Sequence, residues 1–143
     1  MKRRALVCAA LACAGCGKFQ QARECGTFVK TVNAWLAQPD AALSADAGVP
    51  TDPKQIAEQS RRTAQHYAAL SQTLANLHIQ GEDLAPRVQS YEGIADTAAR
   101  TLRDVADALD QGDLEKARQK RVEFDTVARR EAPLVKEINA LCR

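Results

Sequence analysis

The sequence is poor in aromatic residues, and this narrows its fold class. Phe, Trp and Tyr together make up 4% of its 143 residues, and Met1 is its only methionine. The apolar content comes mainly from Ala, Leu and Val, which favours closely packed helices over a β-sandwich rich in Thr, Tyr, Phe and Ile. If residue 1 is removed during N-terminal processing, the remaining chain contains no methionine, which excludes haem ligation by a Met/His pair.

Groups suited to catalysis are also scarce. The only histidines are His66 and His78. A di-iron bundle needs Glu three residues before His, but Thr63 precedes His66 at that spacing and Ala75 precedes His78, so neither completes the motif. No Gly-rich phosphate loop, G-x-S-x-G elbow or Ser/His/Asp set is present. Cys13 and Cys16 have CxxC spacing, but a zinc site needs further Cys or His ligands at suitable spacing and the sequence has none. We therefore predict a non-enzyme with no cofactor and no metal site, and we place both histidines at the boundary or surface of helices.

The chain also lacks the excess of positive charge that nucleic-acid binding requires. Its formal net charge is +2, but Lys2, Arg3 and Arg4 precede every acidic residue. Without those three, 17 of the 20 basic side chains remain against 18 acidic ones, a net charge of −1. Because a nucleic-acid binder needs a positive surplus to displace counterions from phosphates, we expect no nucleic-acid partner.

The N-terminus has the three-part pattern of a secretory signal: three basic residues, a weakly polar or apolar run over residues 5–15, and small residues before Cys16. The run is shorter than the roughly 20 residues that span a bilayer. Its end, ALACAGC, resembles the lipobox of bacterial lipoproteins. The resemblance implies a signal peptide over residues 1–15, a lipidated Cys16, and a lipid-anchored domain over residues 16–143. Gly17, rather than Asp, then favours the outer membrane, facing the periplasm, under the enterobacterial sorting pattern.

Three other interpretations of this segment stay open. Cys13 occupies the position where a lipobox has Leu, and Cys13 is itself a second candidate for lipidation. The Ala12-Cys13-Ala14 triplet is an A-x-A cleavage site, which would release a soluble secreted protein. The segment could also be an uncleaved anchor or a cytosolic tail.

The remaining cysteines predict a disulfide. Cys8 and Cys13 leave with the signal peptide and Cys16 takes lipid, so Cys25 and Cys142 remain as an even pair in an oxidising compartment. The alternative is two separate buried thiols.

Hydrophobic periodicity predicts four helical segments, over residues 19–38, 52–81, 84–112 and 114–142, with a long Pro- and Asp-containing loop over residues 38–53. Asp52 is a good N-cap, with Pro53 behind it. Gly81 and Gly112 are expected helix ends. Pro133 should kink the last segment near Arg129.

Each predicted helix has an apolar stripe at steps of three and four residues. In the first, the stripe is Ala22, Cys25, Val29, Val32 and Leu36, with Phe28 and Trp35 beside it. In the second, it is Ile56, Ser60, Thr63, Tyr67, Leu70, Leu74 and Leu77. In the third, it is Leu84, Val88, Tyr91, Ala95, Ala98, Leu102, Val105 and Leu109. Arg121 and Glu131 interrupt the fourth stripe and are expected to extend to water. Asp104, Asp107 and Asp110 are expected on a solvated face.

Four such helices joined by turns and one longer loop predict an all-α, antiparallel up-down-up-down four-helix bundle. In that order the start of the first helix and the end of the fourth lie at the same end, where Cys25 and Cys142 would meet.

These features lead to a functional expectation without a diagnostic motif. We expect a membrane-anchored envelope lipoprotein with a non-catalytic bundle in a protein-binding or structural role. One version is a chaperone similar to the small helical pilotins of secretins, an analogy of size and architecture alone. The alternatives are a small-ligand sensor or carrier, and a soluble secreted helical protein.

Overall fold

The computed structural model describes residues 14–37 and 51–143, with side chains from Gly17 onward in the first range. Five α-helices follow one another: α1 (Ala14–Leu36), α2 (Pro53–Ala75), α3 (Ala85–Asp110), α4 (Leu114–Ala128) and α5 (Glu131–Leu141). The described residues contain no β-strand, and the predicted all-α helical bundle is confirmed. The up-down-up-down order stays a prediction. Residues 1–13 and residues 38–50, which form most of the predicted loop over 38–53, lie outside the described residues.

α3 forms the centre of the bundle. Its predicted stripe is confirmed, because Val88, Tyr91, Ala95, Ala98, Leu102 and Val105 are all buried, and only Leu109 is half-buried. Small residues beside the stripe, Ala99, Ala106 and Ala108, are buried as well, so neighbouring helices can approach closely. α2 and α4 make the most extensive contacts with α3.

α2 begins as predicted and ends early. The Asp52 side chain accepts a hydrogen bond from the backbone N–H of Lys54 at 3.2 Å, and Pro53 takes the first helical position. The helix stops at Ala75, six residues before the predicted end at Gly81. The segment that follows is not helical, and its amides at Gln80 and Gly81 bond to a side chain of α1 instead.

The last predicted helix is two helices. α4 ends at Ala128 and α5 begins at Glu131. Pro133 has no N–H to give the carbonyl of Arg129, and its ring crowds that carbonyl. The chain is therefore interrupted at the predicted residue, by a full break rather than a kink. Gly112, whose φ of +73° suits glycine, separates α3 from α4, and Asp113 caps α4 through the N–H of Lys116.

α1 packs through a face that only partly matches the predicted stripe. Cys25 and Phe28 are buried and Val32 and Trp35 are half-buried, whereas the predicted core residues Ala22, Val29 and Leu36 are exposed. Phe28 and Trp35 pack against the buried cluster of the bundle. The prediction was therefore right for Cys25 and Val32, and Phe28 and Trp35 take the core positions expected for Val29 and Leu36.

Candidate functional site

The structure joins Cys25 of α1 to Cys142, the residue after α5, by the predicted disulfide. Their Cα atoms are 5.5 Å apart, a separation typical of disulfides. Cys25 belongs to a buried apolar cluster with Phe28, Leu84 and Ile138 among its members. The bond therefore fixes α1 to the end of the chain at one end of the bundle.

Glu24, next to Cys25, holds a second attachment that sequence reasoning missed. Its carboxylate accepts hydrogen bonds from the backbone N–H groups of Gln80 at 3.1 Å and Gly81 at 2.9 Å, and from the side-chain amide of Gln20 at 2.9 Å. The residue is only 9% exposed. The Gln20 bond, assisted by the two backbone bonds, lowers the pKa of Glu24 against the opposing effect of desolvation. In a helix, the N–H groups of Gln80 and Gly81 would donate to backbone carbonyls. Here the ionised carboxylate of Glu24 accepts both hydrogen bonds instead.

Gly81 leaves room for this contact. A Cβ placed on Gly81 would lie 2.9 Å from Oε2 of Glu24, so the carboxylate would have to shift away from the amides that it binds. The only available signals were Glu24 as the single acid of α1 and a glycine in the connection between α2 and α3.

Two shallow clefts lie on either side of this attachment. One, of about 330 Å³, is lined by Arg23, Thr27, Asn76 and His78 among others, and the other, of about 400 Å³, by Lys18, Gln21 and Asp83 among others. Both are open to solvent and have mixed polar walls. Pockets that enclose a small ligand are usually deep and lined mainly by apolar side chains, unlike these two clefts.

His66 is buried, so the prediction that it lies at the boundary of the core or on the surface was wrong. The residue is 8% exposed, and its ring stacks on Trp35 with centroids 4.8 Å apart. The indole N–H of Trp35 donates to the backbone carbonyl of His66 at 3.1 Å. Tyr67 extends this group of rings toward Phe124 on α4. His66 therefore serves as a packing partner for α1, while His78 is exposed, as predicted.

The prediction that Glu131 extends to water was also wrong. Its carboxylate accepts a hydrogen bond from the hydroxyl of Tyr91 at 2.6 Å, and Tyr91 is almost completely buried. Burial, strengthened by this hydrogen bond, raises the pKa of Tyr91 well above its ordinary value. The pair joins α5 to α3, because α5 begins at Glu131.

The three aspartates of α3 lie on an exposed face, where two basic residues approach them. Arg61 of α2 bonds to Asp110 and lies 4.0 Å from Asp107, and Lys120 of α4 lies 3.6 Å from Asp104. These groups are substantially exposed, so such pairs add little stability.

The predicted lipidation site lies where side chains are not described. The backbone of Cys16 belongs to the first turn of α1, and most of the predicted signal peptide falls outside the described residues. Among the described helices, none is both long and apolar enough to cross a bilayer. Over the same residues, no three His, Cys, Asp or Glu side chains converge as metal ligands would.

The described side chains thus form attachments between helices. Comparison with known proteins found no matching family model, no matching curated protein and no matching solved structure.

Proposed function

We propose that this chain is a lipid-anchored protein of the bacterial cell envelope whose helical bundle binds another envelope protein and catalyses no reaction. The observation that carries the proposal is the order of the N-terminal residues: basic residues, an apolar run, small residues and then Cys16. The disulfide supports it, because such bonds persist in oxidising compartments. Cys25 follows the anchor by only nine residues, so the domain stands close to the membrane.

The arrangement of the core favours a binding or structural role over a ligand carrier. Leu70, Leu74, Leu84 and Leu102 are almost completely buried and fill the space between helices. The clefts near Glu24 are open and partly polar. A small helical bundle with these properties fits a pilotin-like chaperone that presents its surface to a partner. With Gly17 after the anchor, we place the protein in the outer membrane, facing the periplasm.

The places of the two histidines support a non-catalytic role. His66 is buried and stacked on Trp35, and His78 is exposed at the wall of an open cleft. A strain lacking the protein should therefore be complemented by His78→Ala as well as by wild type. Loss of complementation by a folded His78→Ala protein would support an enzyme instead.

Mass spectrometry of the N-terminal peptide tests the anchor. Full-length protein expressed in a bacterium with an outer membrane should begin at Cys16, carry acyl chains and partition into detergent. Cys16→Ser should abolish all three properties, while the matched variant Cys13→Ser should keep them. Wild-type protein that is unmodified and aqueous would contradict the proposal, and acylation lost only in Cys13→Ser would assign the anchor to Cys13.

Affinity purification tests the partner. After chemical cross-linking in intact cells, wild-type protein should retain one envelope protein at a stoichiometric ratio. Cys16→Ser protein, which is no longer anchored, should retain much less of it. Recovery of the chain alone under both conditions would argue against a protein-binding role.

A further inference from the structure

α1 has a second apolar face, on the side away from the bundle. Its residues follow one another at steps of three and four, so they share one side of the helix. They are Phe19, Ala22, Gly26, Val29, Asn33 and Leu36, and all are exposed. Phe19 is 72% exposed, Leu36 56% and Val29 38%. We call this set the outer stripe.

The charges beside the outer stripe are all positive. Lys18, Arg23 and Lys30 are exposed, and none of them forms an ion pair within 4 Å in the parts of the chain that the structure describes. Glu24 is the only acid of α1, and its carboxylate faces the bundle through Gln80 and Gly81. An exposed apolar stripe bordered by cations alone is complementary to an apolar surface that carries negative charge.

We propose that the outer stripe of α1 lies flat on an anionic lipid bilayer. This inference rests on the proposed function, because the lipid on Cys16 would hold the start of α1 at the membrane. Phe19, Val29 and Leu36 then enter the boundary between headgroups and acyl chains. Lys18, Arg23 and Lys30 contact lipid phosphates, at about a fivefold gain in association for each cation.

The other exposed apolar residues show why α1 is singled out. Leu114 and Val122 are exposed on α4, but Glu115 and Glu123 lie next to them in the sequence. That surface has mixed charge, whereas the outer stripe has charge of one sign.

The length of α1 makes the proposal testable. Leu36 lies 20 residues beyond Cys16, about 30 Å along the helix axis. If α1 stood upright on its lipid anchor, Leu36 would lie far above the bilayer. If α1 lies flat, both ends of the outer stripe touch lipid.

Quenching of tryptophan fluorescence by brominated lipids distinguishes these orientations. Lipidated full-length protein carrying Leu36→Trp is reconstituted into vesicles of phosphatidylcholine with phosphatidylglycerol, and the signal of wild type, which contains Trp35, is subtracted. We expect emission from position 36 to be quenched in brominated vesicles to the same extent as emission from a residue within the acyl-chain boundary. Phe19→Trp, close to the anchor, is quenched in either orientation and serves as the positive control. Gln89→Trp serves as the negative control, since it is exposed on α3 and no close backbone contact between α3 and α1 occurs among the described helices.

Charge reversal tests the role of the cations. Lys30→Glu in the Leu36→Trp protein should reduce quenching, and so should vesicles of phosphatidylcholine alone. Lys116→Glu on α4 changes the net charge equally and should leave quenching as it was. The lipid on Cys16 holds every variant on the vesicle, so these differences report the orientation of α1 alone.

The outcomes separate this inference from the proposed function. Acylated Cys16 with position 36 quenched no more than position 89 would overturn the flat orientation and leave the anchor intact. An N-terminal peptide without acyl chains would overturn the proposed function, and with it this inference. A detergent-solubilised dimer that Val29→Glu dissociates would assign the outer stripe to a second copy of the chain and overturn the membrane contact.

Discussion

Removal of the Cys25–Cys142 bond should lower the free energy of unfolding by several kcal/mol. The two cysteines are 117 positions apart, so the bond closes a loop of almost the whole domain. In the chain-entropy treatment a loop of this length restricts the unfolded chain by about 4.9 kcal/mol at 25 °C. Many small domains have a total stability of about 5–15 kcal/mol. Because native-state strain commonly reduces the gain, we expect a loss of roughly 3–5 kcal/mol.

The assay is urea unfolding of residues 17–143, followed by far-ultraviolet circular dichroism. This range includes every described side chain and only the two paired cysteines. The variant carries both Cys25→Ala and Cys142→Ala. Wild type with reductant should unfold at nearly the same midpoint as the variant, and wild type without reductant at a clearly higher one. Reductant should leave the variant unchanged, which controls for effects on the solvent or on other groups.

A difference below about 1 kcal/mol would refute this reasoning, because it lies well under the roughly 3–5 kcal/mol expected for a loop of this length. Two free thiols found by alkylation of the unreduced protein would refute the pairing itself. Hydrogen exchange gives a further test. If removing the bond lowered amide protection in α1 and left protection in α2 and α3 unchanged, the bond would act locally and not on the whole unfolded chain.

Three further changes have expected outcomes. Glu24→Gln should lower the free energy of unfolding by about 1.5–3 kcal/mol at pH 7, since it weakens hydrogen bonds to a charged group. Because the folded pKa of Glu24 is lowered, its contribution is complete above its unfolded value of about 4.3 and is lost as pH falls through the folded pKa. The difference from wild type should therefore shrink at pH 3. Gly81→Ala should destabilise by about 1–3 kcal/mol, because its Cβ meets the Glu24 carboxylate. Tyr91→Phe should cost about 1–3 kcal/mol and leave the Glu131 carboxylate without its donor.

Matched variants check these outcomes, all by urea unfolding. Glu58→Gln removes an exposed acid whose nearest basic group lies 3.8 Å away, and it should change stability by under about 1 kcal/mol at both pH values. Gly93→Ala, in a helix with open space around its Cβ, should stabilise by about 0.5–1 kcal/mol. Equal effects of Gly81→Ala and Gly93→Ala would contradict the close approach of Glu24. An unchanged Tyr91→Phe midpoint would mean that the hydroxyl bond contributes nothing net.

Periodicity predicted α3 well, because that helix has one apolar stripe and α2 and α4 cover it. The same argument was only partly right for α1, which carries two stripes of similar apolar character. The inner one contains Cys25, Phe28 and Trp35, and the outer one contains Val29 and Leu36. A helical wheel offers no means of choosing between the two stripes. The choice depends on tertiary packing, in which the ring of Trp35 stacks on His66 of α2.

The polar attachments could not be predicted from spacing, since each joins residues distant in sequence. Glu24 meets the amides of Gln80 and Gly81, more than 50 residues away. Tyr91 meets Glu131 across a separation of 40 residues. A charged residue within an apolar pattern usually extends to water. Only the three-dimensional arrangement shows that Glu24 and Glu131 replace water with specific donors.

The way α1 is attached explains why its outer face is available at all. α2 and α3 approach each other through alanines such as Ala57, Ala64 and Ala95, which are fully buried. α1 instead meets the bundle through a disulfide at Cys25, a carboxylate at Glu24 and stacked rings at Trp35. These attachments all lie on one side of the helix. Phe19, Val29 and Leu36 on the other side are exposed, and the proposed contact with the bilayer next to the anchor would bury them.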